Sequence, residues 1–405
     1  MVYFIIFFLL LICIYTFDYR KVDRGEMVAY CTLCLFFILV AGLRYRIGGD
    51  SIVYENEYKE LPKFSDLDRF HFDTLRYEPG YVVLVSIPRY FSPDFVYFQL
   101  LHALIVNTVI FWFIYKNTQN RFLAVTFYFV GLYLNLNTEV LREALAVSIF
   151  LLAWPSFRSG KWWLYYPLVL LACCFHISAV FTLFLPLALL PGVRAFFTLG
   201  YRTIFFCIVI FFIAMYLQRR FFSIVIDMSG NESMSDKAQL YSKSVYGGAT
   251  LNVFGIFEQA IKTLILPLGA IWFMRNKLKG QEDTEEYRSL KRMEPIIIVG
   301  VYFAVMTMYI FIFTRFNNYV FMFNYVLIAS CFFKSLRVRR KNYRLSPLFW
   351  VGMFALVFFL NFKAYFGSIK GTSLERYMVY YPYYTVLDPQ DDYDREAVIR
   401  YFSHQ

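Results

Sequence analysis

Ten apolar runs, each close to the ~17 to 25 residues that a helix needs to cross a bilayer, recur along this chain and restrict it more than any other feature. They are centred on residues 2 to 17, 26 to 43, 95 to 115, 121 to 138, 139 to 154, 200 to 217, 251 to 274, 295 to 313, 317 to 334 and 345 to 362. In lipid each such run must satisfy its own backbone, so the expected fold is an all-α, polytopic transmembrane helical bundle. Two stretches are less regular. The run from Trp162 to Leu190 is too long for one span and is interrupted by Cys173-Cys174-Phe175-His176, so it reads as two short crossings or a re-entrant pair meeting near His176. The run from Gly80 to Phe91 is too short, and Pro88, Arg89 and Pro93 close it; it reads as a half-helix dipping in from the outer side. The total is about twelve crossings plus the half-helix, one integral membrane domain over residues 1–405.

Composition excludes the soluble alternatives. Of 405 residues, 59% are hydrophobic, 22% aromatic and only 17% charged, which is not the balance of a soluble globular chain. The net charge of +11 could suggest nucleic acid, but the basic residues fall in short clusters between apolar runs, as cytoplasmic loops facing anionic lipid do. The seven cysteines lie in or beside apolar stretches. Even Cys31-x-x-Cys34 has no His or acidic neighbour, so all seven read as buried, inert thiols. Met1 to Phe17 has no basic region before it and no small-residue cleavage site after it, and reads as a retained first span.

The densest basic clusters, Lys334 to Arg344 and Arg275 to Arg292, fix the orientation because cytoplasmic loops carry the excess of Lys and Arg. Residues 18 to 26, 116 to 121, 155 to 161 and 191 to 202 then also lie in the cytoplasm, and both termini lie outside. The segments 44–79, 218–250 and 363–405 become extracytoplasmic. Every polar residue with chemical potential falls on that outer face: Arg44, Arg46, Asp50, Glu78, Arg142, Glu143, His176 and Arg315. Ionisable groups in hydrocarbon cost several kcal/mol, so a convergent set implies a hydrated cavity opening outward.

Each of these residues has a structural reading beside the functional one. Arg44 and Arg46 can be snorkelling anchors, or they can serve an anion with Gly48-Gly49, whose backbone N–H groups can approach it closely. Asp50 can cap a helix beginning near Ser51, pair with Arg46, or meet substrate. Glu78, before Pro79-Gly80, can start a helix or act on substrate. Arg142 and Glu143 point about 100° apart on a helix and so need separate partners, in another helix or in a ligand. His176 can be a hydrogen-bonded histidine between helices, a proton-transfer group or a phosphate contact. Glu258 and Lys262, at i and i+4, are expected to pair with each other. No nucleotide loop, dinucleotide fingerprint, metal-ligand spacing or nucleophile elbow appears.

The segment Gly42-Leu43-Arg44-Tyr45-Arg46-Ile47-Gly48-Gly49-Asp50, with Tyr54 and Tyr77-Glu78-Pro79-Gly80-Tyr81 after it, resembles the EpsG family of bacterial exopolysaccharide proteins, relatives of the Wzy-type O-antigen polymerases. Leu141-Arg142-Glu143-Ala144-Leu145-Ala146, Phe175-His176-Ile177-Ser178-Ala179, Arg315-Phe316-Asn317-Asn318-Tyr319 and Tyr381-Pro382-Tyr383 resemble its later landmarks, in order. Glu143 stands where the family more often has a neutral amide, and Gly49 where it has a variable residue. The resemblance implies a GT-C-like polymerase or ligase architecture in the bacterial inner membrane, with the active site facing the periplasm or exterior. It implies a glycosyltransferase that polymerises polyprenyl-diphosphate-linked oligosaccharide repeats into exopolysaccharide, capsule or O-antigen. The partners expected are that donor and acceptor, the lipid bilayer, and assembly proteins such as a flippase and a chain-length regulator, but no nucleic acid.

The site must hold an anionic leaving group and deprotonate an acceptor hydroxyl. Arginines suit the first task because guanidinium binds phosphate bidentately and stays charged; a carboxylate or imidazole suits the second. Asp50, His176 and Glu78 are therefore the catalytic candidates. Arg44, Arg46, Gly48, Gly49, Tyr54, Arg142, Glu143 and Arg315 are the diphosphate- and sugar-binding candidates, and neither a metal nor another cofactor is expected. A membrane O-acyltransferase, with a histidine in a helical bundle, and a polysaccharide flippase or transporter, with about twelve spans and a charged cavity, are the competing readings.

Overall fold

Small and aromatic residues set how the helices meet. The computed structural model describes residues 2–70, 77–218, 220, 221, 253–336, 374–403 and parts of 352–362, and every regular element among them is helical. The chain divides into two compact units, Met1–Leu183 with Phe358–His404, and Phe184–Val357. In the first unit, α1 (Val2–Cys13) runs on into a π-helical turn at Ile14–Tyr19 and α2 (Glu26–Gly42) comes next. Then come α3 (Ser51–Glu60), α4 (Pro79–Phe91), α5 (Val96–Asn117), α6 (Arg121–Tyr128), α7 (Leu141–Ser159) and α8 (Trp162–Cys173). Helix α5 is the central member, packed against α2 on one side and α7 on another, and α7 packs against α8. The α2–α5 approach is closest at Gly42, where a Cβ would lie 3.0 Å from the Cα of Leu100.

A polar knot inside this unit fixes the register of the chain ahead of α7. Asn107 donates to Asn137 Oδ1 at 2.8 Å and the Tyr128 hydroxyl donates to Asn107 Oδ1 at 2.8 Å. Asn137 donates to the Tyr128 oxygen at 3.0 Å and to the Tyr133 carbonyl at 2.8 Å. Asn107, Tyr128 and Asn137 are completely buried, where an unmade hydrogen bond costs about 1–3 kcal/mol, so the knot tolerates little slippage. It brackets two π-helical segments, Phe129–Tyr133 and Asn135–Glu139. Each wide turn changes the direction of the side chains beyond it, and the helix breaks at Val140 (φ −116°, ψ 56°) before α7 begins. The boundary expected between the runs 121–138 and 139–154 is this break.

Helix α8 and a 3₁₀ stretch, Ile177–Leu189, flank a turn at residues 174–176. At about 1.5 and 2.0 Å rise per residue they span roughly 18 and 26 Å, each short of the ~30 Å hydrocarbon core, in keeping with the interruption near His176. Helix α4 is 13 residues long and equally short of a full crossing. Four described helices, Val2–Tyr19, Val96–Asn117, Gly255–Lys277 and Phe311–Lys334, are long and apolar enough to cross a membrane. Shorter apolar helices run over Glu26–Gly42, Arg121–Tyr133, Trp162–Cys173, Ile177–Leu189 and Tyr201–Leu217, so the described helices do not by themselves make up the expected count of about twelve. The expected loop 218–250, the basic residues 337–344, most of the run 345–362 and the segment 363–373 lie almost wholly outside the described residues.

In the second unit, Thr284 caps helix Glu285–Thr307 by accepting from the Tyr287 N–H at 3.3 Å, with Glu285 and Glu286 in the first turn where the helix dipole favours them. Gly300 lets that helix meet helix Thr314–Leu336, since a Cβ there would lie 3.0 Å from Val320 Cβ. Arg275 makes a two-point ion pair with the buried Glu294, at 2.6 and 3.2 Å, and both groups also bind the backbone of Leu199. Glu258 and Lys262 pair with each other at 2.5 Å, as their spacing predicts. All seven cysteines are free thiols, but of the seven expected to be buried only Cys331 is: Cys13, Cys34, Cys173 and Cys207 are half-buried and Cys31 and Cys174 exposed. On a lipid-facing helix surface a thiol needs no burial to sit in apolar surroundings.

Candidate functional site

The loop after α2 is held by a C-terminal strap of the same unit. Tyr45 N–H donates to the Tyr384 carbonyl at 3.0 Å, Val386 N–H to the Leu43 carbonyl at 2.9 Å and Gly48 N–H to the Val379 carbonyl at 3.2 Å. The Tyr383 hydroxyl reaches the Val40 carbonyl at 2.8 Å. Arg46 adopts a left-handed backbone (φ 47°). It pairs with Glu55 at 3.1 Å, with Glu396 of helix Tyr393–Ser403 at 3.2 Å and with Asp391 at 3.5 Å. With a third of its side chain exposed, each of these pairs is worth less than about 1 kcal/mol. Arg46 is thus committed to joining the strap to the loop.

The two glycines do approach an anion closely, and the anion belongs to the chain. Gly48 has φ +110°, and a Cβ there would fall 2.6 Å from Thr138 Cβ. Gly49 N–H donates to Glu139 Oε1 at 2.8 Å, and a Cβ on Gly49 would lie 2.9 Å from Glu139 Oε2. The Tyr380 hydroxyl donates to the same Oε1 at 2.6 Å. Sequence reasoning misses Glu139; its one signal there is its place at the end of the polar stretch Asn135-Leu136-Asn137-Thr138-Glu139, three residues before Arg142.

A second constellation forms where α4, α7 and the 3₁₀ stretch begin. Arg142, at the start of α7, donates to Glu78 Oε2 at 2.8 Å, both side chains being less than a fifth exposed. Glu78 is the residue ahead of α4, and its Oε1 accepts from the Ile177 N–H at 3.3 Å. Pro79 occupies the first turn, where a missing N–H costs nothing. Gly80 donates to the Cys174 carbonyl at 2.8 Å and approaches so closely that a Cβ would lie 2.7 Å from that oxygen. The Arg142 guanidinium lies over the Tyr77 ring at 4.6 Å, a cation–π contact. Tyr54, buried on α3, donates to the Glu139 carbonyl at 3.3 Å and feels the Arg142 charge as well. Burial pushes its phenol well up, with Arg142 pulling the other way, so Tyr54 stays a protonated donor.

His176 is 5% exposed, and its Nδ1 accepts from the Ser178 backbone N–H at 3.1 Å, with the Ser178 hydroxyl 2.6 Å away. A backbone N–H can only donate, which assigns the proton of the neutral ring to Nε2. In that tautomer the Nε2 side of His176 is a donor. The sequence segments around 48, 78, 142 and 176 are thereby brought together in one unit, Glu78 joining the last three and Glu139 tying in the first.

The remaining candidates are more dispersed. Asp50 is exposed and precedes the first residue of α3, where its carbonyl accepts from Tyr54 N–H at 3.0 Å. Glu143 is 1% exposed on α7. Arg315 belongs to the second unit, in the first turn of helix Thr314–Leu336. Arg44 is 2% exposed, donates to the Ala41 carbonyl, and has no partner for Nε among the described residues. Burial pulls its guanidinium down to about 10, only partly opposed by Tyr133, Tyr383, Tyr3 and Glu139. His102, also unsignalled by sequence, is fully buried nearby; its Nε2 donates to the Leu141 carbonyl at 3.0 Å and its Nδ1 has no partner among the described residues. Among the described residues no group of three or more His, Cys, Asp or Glu side chains could hold a metal.

No curated protein and no solved structure matches this chain. Residues 27–385 match the EpsG family, a span that contains the loop, both constellations and the start of the strap, and the chain belongs to that family.

Proposed function

We propose that this protein is a membrane glycosyltransferase that joins polyprenyl-diphosphate-linked oligosaccharide repeats into a polysaccharide on the outer side of the bacterial inner membrane. Membership of the EpsG family suggests an exopolysaccharide-polymerase-like function. The observation that carries the finer reading is Arg142. It is mostly buried and set at a helix start among Tyr54, Tyr77 and the His176 turn, with its Nε unpartnered among the described residues. A planar guanidinium at a helix N-terminus suits a diphosphate leaving group. Glu78 orients it in the resting state through one N–H, leaving donors for phosphate oxygens. The His176 turn joins the same junction through the Ile177 N–H, and Arg44 lies buried at the start of the loop. About twelve crossings, with this face outward, would put the donor's diphosphate at the level of these helix ends.

The test is elongation by purified protein in liposomes. Lipid-linked repeat units should be converted into a ladder of longer lipid-linked chains, with free polyprenyl diphosphate released in step. Arg142→Lys keeps charge but loses the fork, so it should cut turnover by at least tenfold with the protein still folded. Movement of intact single repeats across the bilayer without any ladder would refute the polymerase reading.

A further inference from the structure

Glycosyl transfer to a hydroxyl needs a proton acceptor. Three carboxylates stand at or beside the constellations. Glu78 has both oxygens engaged, one by Arg142 and the other by the Ile177 N–H, so neither is left for an acceptor hydroxyl. Asp50 is exposed at the start of α3, and its side chain makes no capping hydrogen bond to that helix. Glu139 differs from both. Its Oε1 is anchored by Gly49 N–H at 2.8 Å and by the Tyr380 hydroxyl at 2.6 Å, with Thr138 Oγ1 at 3.4 Å. Its Oε2 accepts no hydrogen bond among the described residues, and the side chain is only partly buried.

One oxygen clamped and the other without a hydrogen bond suits a positioned base: the clamp fixes the carboxylate plane and leaves Oε2 to accept a proton. The surrounding structure supports that aim. The π-helical segment Asn135–Glu139 ends at this residue, held upstream by the Asn107–Tyr128–Asn137 knot. Gly48 and Gly49 have no room for side chains against Thr138 and Glu139. Tyr54 couples the backbone of Glu139 to the Arg142 charge, so the residue that carries the carboxylate and the guanidinium share one phenol.

We propose that Glu139 is the general base that deprotonates the acceptor hydroxyl, and that Gly49 and Tyr380 are its positioning residues. This rests on the polymerase reading. In the step, the acceptor O–H proton passes to Glu139 Oε2 as the acceptor oxygen forms its bond to the donor's anomeric carbon. The anomeric C–O bond to phosphate breaks, its electron pair leaves with polyprenyl diphosphate, and the proton on Glu139 is then lost to water.

The experiment uses full-length protein in liposomes with a lipid-linked repeat, comparing wild type, Glu139→Gln, Glu139→Ala and Tyr380→Phe. Glu139→Gln keeps an oxygen for Gly49 and Tyr380, so the fold should persist while turnover falls by about 10² to 10⁴ and donor binding is little changed. Formate added to Glu139→Ala should recover part of the lost turnover, which repair of a purely structural role would not do. Tyr380→Phe should lower kcat by about tenfold and leave the donor KM little changed, since Oε1 loses one of the donors that hold the carboxylate in place. Glu139→Gln within a few-fold of wild type, or no rescue by formate, would overturn the assignment while wild-type elongation still upholds the polymerase. A wild-type protein that builds no ladder would instead remove the reading on which it rests.

Discussion

Replacing Gly80 by Ala tests whether the junction at Glu78 is as tight as it looks. Propensity alone favours Ala in a helix by up to about 1 kcal/mol, so a loosely packed first turn of α4 would be stabilised. Here the new Cβ would lie 2.7 Å from the Cys174 carbonyl oxygen and 3.1 Å from both its carbonyl carbon and its Cβ, against an ordinary contact of 3.4 Å or more. Two of those three atoms are backbone, so no rotamer change relieves the clash, and α4 must retreat by about 0.7 Å. That stretches the 2.8 Å hydrogen bond from Gly80 to Cys174, worth about 1 kcal/mol, and adds an overpacking cost of about 1–3 kcal/mol. After the propensity gain the net destabilisation is about 1–3 kcal/mol. Glu78, two residues earlier, moves with the helix, and a displacement approaching 1 Å at a positioning group costs up to about 10²-fold in rate. Thermal melting of purified protein in detergent, with turnover per folded molecule, measures both effects. Gly269→Ala, inside helix Leu266–Lys277 with nothing within 4 Å of its Cβ, is the control and should melt at or above wild type. Gly80→Ala melting as high as that control with undiminished turnover would refute the packing argument.

Arg44→Met removes a cation whose burial disfavours it by about 3 kcal/mol and gives up one hydrogen bond to Ala41. The variant should therefore melt no lower than wild type while elongation falls at least tenfold; a large loss of stability with turnover per folded molecule intact would make Arg44 a structural residue. In a background without native cysteines, Asp283→Cys should be protected from an impermeant thiol reagent in intact cells and Gln390→Cys should react, given passage through any outer membrane. The reverse pattern would put the candidate site on the cytoplasmic face.

Sequence makes some of this site legible because its signals are local. Helical geometry requires different directions for Arg142 and Glu143, and Arg142 faces Glu78 while Glu143 is buried on α7. The interruption at residues 173–176 marks a true break, and Gly48-Gly49 marks a close approach to an anion. The identity of that anion is hidden, because it depends on register: two π-helical turns decide where Glu139 points, and they are set by Asn107, Tyr128 and Asn137, up to 30 residues apart. The strap is equally hidden. Nothing local to Arg46 shows that its partners include Asp391 and Glu396, some 350 residues later.

Four helical segments of the first unit begin at this site: α3 after Asp50, α4 after Glu78, α7 after Val140, and the 3₁₀ stretch at Ile177. Hydrogen bonds tie the starts together, Glu78 joining those of α4, α7 and the 3₁₀ stretch, and Glu139 joining the Gly49 end of α3 to the approach to α7. The first turn of a helix leaves N–H groups unsatisfied and carries a partial positive charge, worth about 0.3–1 kcal/mol per nearby anion at exposed sites. That field and the Arg142 guanidinium are the features of the site that favour a bound phosphate group. On the polymerase reading, a diphosphate leaving group would use the same helix ends and guanidinium. The breaks ahead of these segments therefore have a use: each one brings a positive helix end, and with it an arginine, histidine or anchored carboxylate, to the same place.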